Sequence, residues 1–308
     1  MAQVISFDVP LSTGTTPTAL NAAGEITGNY SDANGGHGFL RKTDGSIVKF
    51  DAPNAVSTQP VAISRGEITG WYNDGTGAKG FLRRSDGTMV TFALPNAIQT
   101  NPTSIDCSSG IAGYYGDAAG PSHGFIRAES GAFTTFDSPG SRQTSANGIT
   151  RDSVTTGQWG DAQQKLHGFV RDGNGAVTTF DVPNSGSTTP MVINENLLVA
   201  GNYTDAHGQP QIFLRQPNGT IVPIVIPGPT PTTPASASVF GLNNAGTLIG
   251  VMAFANQTHA FVRTAAGVVT LVDVQGAVST QPSGLNDQGQ ITGSYVDAAG
   301  KTHGFLRT

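Results

Sequence analysis

A pentapeptide, His37-Gly38-Phe39-Leu40-Arg41, sets the frame of this chain, because six variants of it follow. They are Lys79-Gly80-Phe81-Leu82-Arg83, His123-Gly124-Phe125-Ile126-Arg127, His167-Gly168-Phe169-Val170-Arg171, Gln211-Ile212-Phe213-Leu214-Arg215, His259-Ala260-Phe261-Val262-Arg263 and His303-Gly304-Phe305-Leu306-Arg307. Their first residues lie 42, 44, 44, 44, 48 and 44 positions apart. A period near 44 residues, sustained from end to end, calls for an architecture in which each unit buries its apolar face against its neighbours. The 41 glycines and 18 prolines fall in register with that period, so they read as turns rather than as low complexity.

Within the first unit four alternating runs stand out: Thr16 to Asn21, Glu25 to Asp32, His37 to Lys42 and Ile47 to Ala52. They are separated by Gly- and Asn-containing turns, which is the pattern of an antiparallel meander. No window sustains a helical period, so the expected class is all-β. The fourth run carries its own marker, Phe50-Asp51-Ala52-Pro53, repeated as Phe92-Ala93-Leu94-Pro95, Phe136-Asp137-Ser138-Pro139 and Phe180-Asp181-Val182-Pro183. Ile224-Val225-Ile226-Pro227 and Val272-Asp273-Val274-Gln275 are degraded copies. Proline there suits an outer edge, where a missing backbone donor discourages edge-to-edge pairing.

The chain opens on such a fourth-strand sequence, Val4 to Pro10, and ends directly after a third-strand sequence, His303 to Arg307. The surplus strand at the start is therefore expected to supply the strand missing at the end, which makes sense if first and last units are neighbours in space, as in a ring. The expected fold is a seven-bladed β-propeller with four antiparallel strands per blade. It forms a single domain over 1–308, with residues 4–10 completing the blade formed by 278–308. The sixth unit is irregular: a proline-rich connection from Pro227 to Pro234 lengthens it, and Phe254 stands where other units have aspartate.

With these residues in hand, the chain resembles the bacterial HAF-type repeat family of probable extracellular repeats. The signature tripeptide occurs literally as His259-Ala260-Phe261 and as His-Gly-Phe in four other units. Gly-x-Tyr-x-Asp and Gly-x-x-x-Phe-Asp-x-Pro segments accompany it. The resemblance implies an exported or cell-surface protein and carries over no catalytic residues. Met1 to Phe7 lacks the basic start and apolar stretch of a secretory signal, so a cytoplasmic location is also open.

Composition narrows the partners. A net charge of −5 offers no basic patch for a phosphate backbone, and no apolar run is long enough for a spanning helix. One cysteine, Cys107, excludes an intrachain disulfide framework. The recurrent pairs Asp32/His37, Asp117/His123, Asp161/His167 and Asp297/His303, with Asp74/Lys79 and Asp205/Gln211 as variants, could be metal or acid–base sites. Packed sheets lie about 10 Å apart, whereas ligands sit about 2 Å from an ion. Equivalent pairs cannot converge on one ion, so no metal and no cofactor are expected. A structural bridge across the hairpin joining strands two and three is the favoured role. The arginine closing each third strand is expected to pair locally with its own outer strand. The Phe39 and Tyr30 series should fill the space between blades.

One position offers a ligand site by symmetry. Thr16, Gln59, Asn101, Ser145, Thr189, Ser238 and Gln281, one per unit near the start of the first strand, are all polar and should border one mouth of the channel. The expected function is a monomeric, non-catalytic binding or interaction scaffold taking a neutral glycan or a protein at that mouth. A propeller enzyme of lyase, hydrolase or cyclase type and a multivalent lectin with sites between blades are the alternatives. Arg65, Arg142, Arg151 and Lys165 break the repeat, but nothing in the sequence pairs them with an acid or a nucleophile.

Overall fold

A computed structural model describes residues 3–227, 236–254 and 257–308. Among them there are 28 strands and no helix, and therefore no helix long and apolar enough to cross a membrane. The first repeat shows how each is built. Its strands are Gly14–Leu20, Ile26–Asp32, Gly35–Arg41 and Ile47–Phe50, paired antiparallel in sequence order. The turn before the fourth strand is set by Gly45, at φ +88°, where a β-carbon would be strained; Asp44 accepts the Ser46 N–H beside it.

Glycine in the pentapeptide has a packing reason. A β-carbon on Gly38 would lie 2.6 Å from the ring of Phe50 on the outer strand, and one on Gly80 would lie 2.2 Å from Phe92. In the fifth and sixth repeats the outer residue is Ile224 or Val272, and there the glycine is replaced by Ile212 or Ala260. The aromatic outer strand and the small third-strand residue are thus two halves of one fit. Phe39 and its six equivalents have no exposed surface and centre the apolar clusters between repeats.

The sheets stand in a ring. Each first strand packs beside the first strand of the next repeat, and Ser279–Leu285 of the last repeat packs beside Gly14–Leu20 of the first. The strand Val4–Phe7 pairs antiparallel with Thr302–Arg307, Val4 opposite Arg307 and Phe7 opposite Gly304, so the two ends of the chain share one sheet. The hydrogen-bonded sheets number six, five of four strands and one of eight. One parallel pair, Gly36 with Ser57, fuses the sheets of the first and second repeats. The proline-rich connection beyond Pro227 lies outside the described residues.

A one-residue bulge in every first strand follows the proline position, as between Pro17 and Ala19. It re-aims the extra side chain toward the neighbouring sheet. Thr18 Oγ1 donates to Pro60 O at 3.0 Å, Thr103 Oγ1 to Ala146 O at 2.7 Å and Asn147 Nδ2 to Pro190 O at 2.7 Å. Ser283 Oγ donates to Pro17 O at 2.8 Å, carrying the belt across the closure.

Candidate functional site

The recurrent histidines are clasped between two carboxylates. His37 Nε2 lies 3.2 Å from Asp32 on the hairpin, and its Nδ1 lies 2.9 Å from Asp51 at the end of the outer strand. The ring stacks on Tyr30 at 5.1 Å. His167 sits likewise between Asp161 and Asp181, and His303 between Asp297 and Asp8. Histidine follows the outer aspartate, not the hairpin one. His259 keeps Asp273 although the hairpin residue is Phe254, whereas Lys79 and Gln211 stand where the outer residue is Ala93 or Val225. The bridge expected across the hairpin therefore extends to the outer strand. At His37 and His303, hydrogen bonds to carboxylates on both nitrogens require both N–H groups, so the clasp favours imidazolium there. Burial opposes the charge on His37, but Asp51 and Asp32 outweigh it and raise its pKa; His303 is raised by its hydrogen bond to Asp297, with burial opposing and Asp8 adding. Among the described residues no three His, Cys, Asp or Glu side chains are grouped to hold a metal ion.

The arginines do not form an anion-binding ring. Arg41, Arg83, Arg127 and Arg171 are buried, each over the phenylalanine of the preceding repeat's outer strand, as Arg83 is 5.1 Å from Phe50. Arg83 Nη1 donates to the carbonyl of Arg84 in the following turn. The partners are thus the turn and the neighbouring repeat, rather than the arginine's own outer strand. Burial lowers the pKa of Arg41 and Arg83.

The polar series at the first strands sits mid-strand, each residue opposite the position that follows a second-strand glycine, as Thr16 faces Asn29 and Thr189 faces Asn202. Thr16 and Gln281 are exposed, Asn101 is buried, and Gln59, Ser145, Thr189 and Ser238 are half-buried. Gln59 is held by Asn29 of the preceding repeat, and Ser145 bonds Asn147 at 3.1 Å. None of the seven lines the large cavity.

That cavity, of about 540 Å³, lies at the opposite ends of the first strands. All seven repeats contribute to it from equivalent positions, which puts it on the ring axis. Its apolar wall is Leu20, Ile63, Ile193, Leu242 and Leu285. Above them Asn194, Asn243 and Asn286 lace the repeats together: each Nδ2 donates to the carbonyl of the next repeat's Asn, at 2.9, 3.1 and 3.2 Å, ending on Asn21 O. The following residue in each repeat forms the rim, and here the repeat is broken. Arg65, Cys107, Arg151, Glu195, Asn244 and Asp287 are all different in setting, with Ala22 completing the circle. Arg65 Nη1 donates to Cys107 O at 3.1 Å, and the Arg151 N–H meets the Glu195 carboxylate at 3.3 Å. The Glu195 N–H donates to Asn244 Oδ1 at 3.0 Å, and Asn244 binds Asp287 through both its nitrogens at 2.8 Å. Arg65 and Arg151, unpaired in the sequence, thus share one cavity rim with Glu195 and Asp287 without an ion pair to either among the described residues; Arg142 lies elsewhere, and Lys165 is 3.9 Å from Asp181. The signal that could have found this rim is the one variable position that follows an Asn, Asp, Ser or Thr at the end of each first strand.

Radial four-stranded sheets around an axial cavity, closed by the first strand, define a β-propeller. The solved structures it is similar to agree. A streptogramin B lyase is 15% identical, with 100% of this chain and 98% of that chain covered and a TM-score of 0.66. A catalytically inactive virginiamycin B lyase from Staphylococcus aureus, with quinupristin, is 16% identical over the whole of both chains, TM-score 0.68. The β-propeller domain of the Trilobed protease from Pyrococcus furiosus is 8% identical over 96% and 94% of the chains, TM-score 0.71. At these identities the likeness is one of fold. No family model and no curated protein matches the chain.

Proposed function

We propose that the chain is a seven-bladed propeller that binds one small polar ligand in the axial cavity at the strand one-to-two turns. The count of seven treats the eight-stranded sheet as two blades joined at the Gly36–Ser57 pair. The carrying observation is the loss of repetition: residues that only build the wheel recur, while the rim residues around the cavity do not. A cavity of this size with an apolar wall and a few convergent polar groups is what small-molecule sites offer. The ligands to test are the neutral glycan and protein expected from the sequence, together with charged metabolites.

A second reading is a propeller enzyme with the same single site. The ionisable set Cys107, Glu195 and Asp287 on the cavity favours it, as does the likeness in fold to lyases. Amide chemical-shift mapping with pooled small metabolites and oligosaccharides tests the proposal. Shifts should cluster at residues 20–22, 63–65, 193–195, 242–244 and 285–287. Shifts centred instead on Thr16, Gln59 and Gln281 would move the site to the mid-strand polar series. Mass spectrometry of the recovered ligand separates binding from turnover.

A further inference from the structure

We infer that the axial cavity takes a dipolar molecule carrying a carboxylate and an ammonium group, an amino acid or a short peptide with free ends. The inference rests on the cavity being the ligand site. In ring order the second to fourth repeats present Arg65, Cys107 and Arg151, and the fifth to seventh present Glu195, Asn244 and Asp287. Cationic and anionic rim residues therefore occupy different arcs instead of alternating.

Their charged groups are also not paired with one another. Neither arginine forms an ion pair with either acid among the described residues, and the Arg151 guanidinium has no acceptor there. Glu195 is met by a backbone N–H, and Asp287 by the backbone and side chain of Asn244. Sorted charges of this kind leave a field directed across the cavity rather than cancelling within the rim. A neutral sugar gains nothing from that field. A simple anion is drawn by one arc and repelled by the other, whereas a molecule with both charges at its ends gains from both. The bonds from Glu195 to Asn244 and from Asn244 to Asp287 fix the anionic arc before any ligand arrives, which lowers the cost of ordering it.

Titration calorimetry at low ionic strength tests this, with a pool of unblocked dipeptides resolved into its members, their N-acetylated and C-amidated forms, and maltose as a neutral probe. Blocking either end should weaken binding at least ten-fold. Arg151→Gln should abolish the preference for a free carboxylate and Glu195→Gln the preference for a free amine. Both residues are exposed, and circular dichroism should show both variants folded. No binding by any unblocked dipeptide, or binding indifferent to blocking, overturns the inference. Maltose binding that depends on Arg65, Arg151 or Glu195 would also overturn it while leaving the cavity as the site. Dipeptide binding unchanged in both variants would remove the cavity reading itself.

Discussion

Gly80 carries the tightest of the fits described above, its absent β-carbon falling 2.2 Å from the Phe92 ring. Gly80→Ala should destabilise the protein by about 1–3 kcal/mol, the usual range for overpacking. Combining it with Phe92→Val, the arrangement the sixth repeat already uses with Ala260 and Val272, should recover part of that loss. Denaturant unfolding of the four proteins would show a coupling of about 1 kcal/mol or more; strict additivity would contradict the fit. The histidine clasps give a pH signature. The raised pKa values of His37 and His303 mean that their contribution is complete below the ordinary value of 6.5 and is lost as pH rises through the raised values. Asp32 is lowered by the Asn34 N–H and by His37, against burial, and Asp297 by His303 and the Lys301 N–H; their contribution is complete above 3.8 and is lost as pH falls through the lowered values. Thermal stability should therefore be greatest between these limits and fall as pH rises above 6.5. The His37→Gln, His303→Gln double variant should flatten the alkaline fall; an unchanged profile would remove the clasps as its source.

Strands are bound to their neighbours by side chains that the repeat makes easy to see but hard to place. Arg83, buried over Phe50 and bonded to the Arg84 carbonyl, ties the third strand of one repeat to the outer strand of the one before. Arg83→Met keeps the stem and removes both interactions, and should cost about 1–3 kcal/mol in chemical unfolding. A neutral result would mean that the stem alone carries the packing. The strand pattern, the outer edge and the partners at the closure were legible in the sequence, because period-two alternation and the split unit each permit one arrangement. The bulge contacts were not. Thr18 reaches Pro60 only because one extra residue shifts the register, and a single sequence does not show which residue that is. The second partner of His37 was hidden for a similar reason: Asp51 is 14 residues away and is brought beside it by the outer strand. Its trace was nonetheless present, in the loss of histidine wherever the outer aspartate is lost.

The molecule as a whole depends on the pairing of Val4–Phe7 with Thr302–Arg307. Removing residues 1–10 would strip Phe7, the buried Val9 and the Asp8 partner of His303 from the last sheet. By area alone that is a loss of about 3–5 kcal/mol, enough to lower the melting temperature markedly or prevent folding; a truncated chain as stable as the parent would deny the closure. Symmetry also explains why the cavity rim escaped sequence reading. Recurrence draws attention to the mid-strand polar series and away from the one position that varies. The wheel is built from what repeats, and the proposed site from what does not. The most direct measurement is the stoichiometry of the best ligand found, by calorimetry, on the parent and on Arg151→Gln, Glu195→Gln. One site per chain, lost in the double variant, is the expected result; several equivalent sites, or one site indifferent to the substitutions, would contradict it.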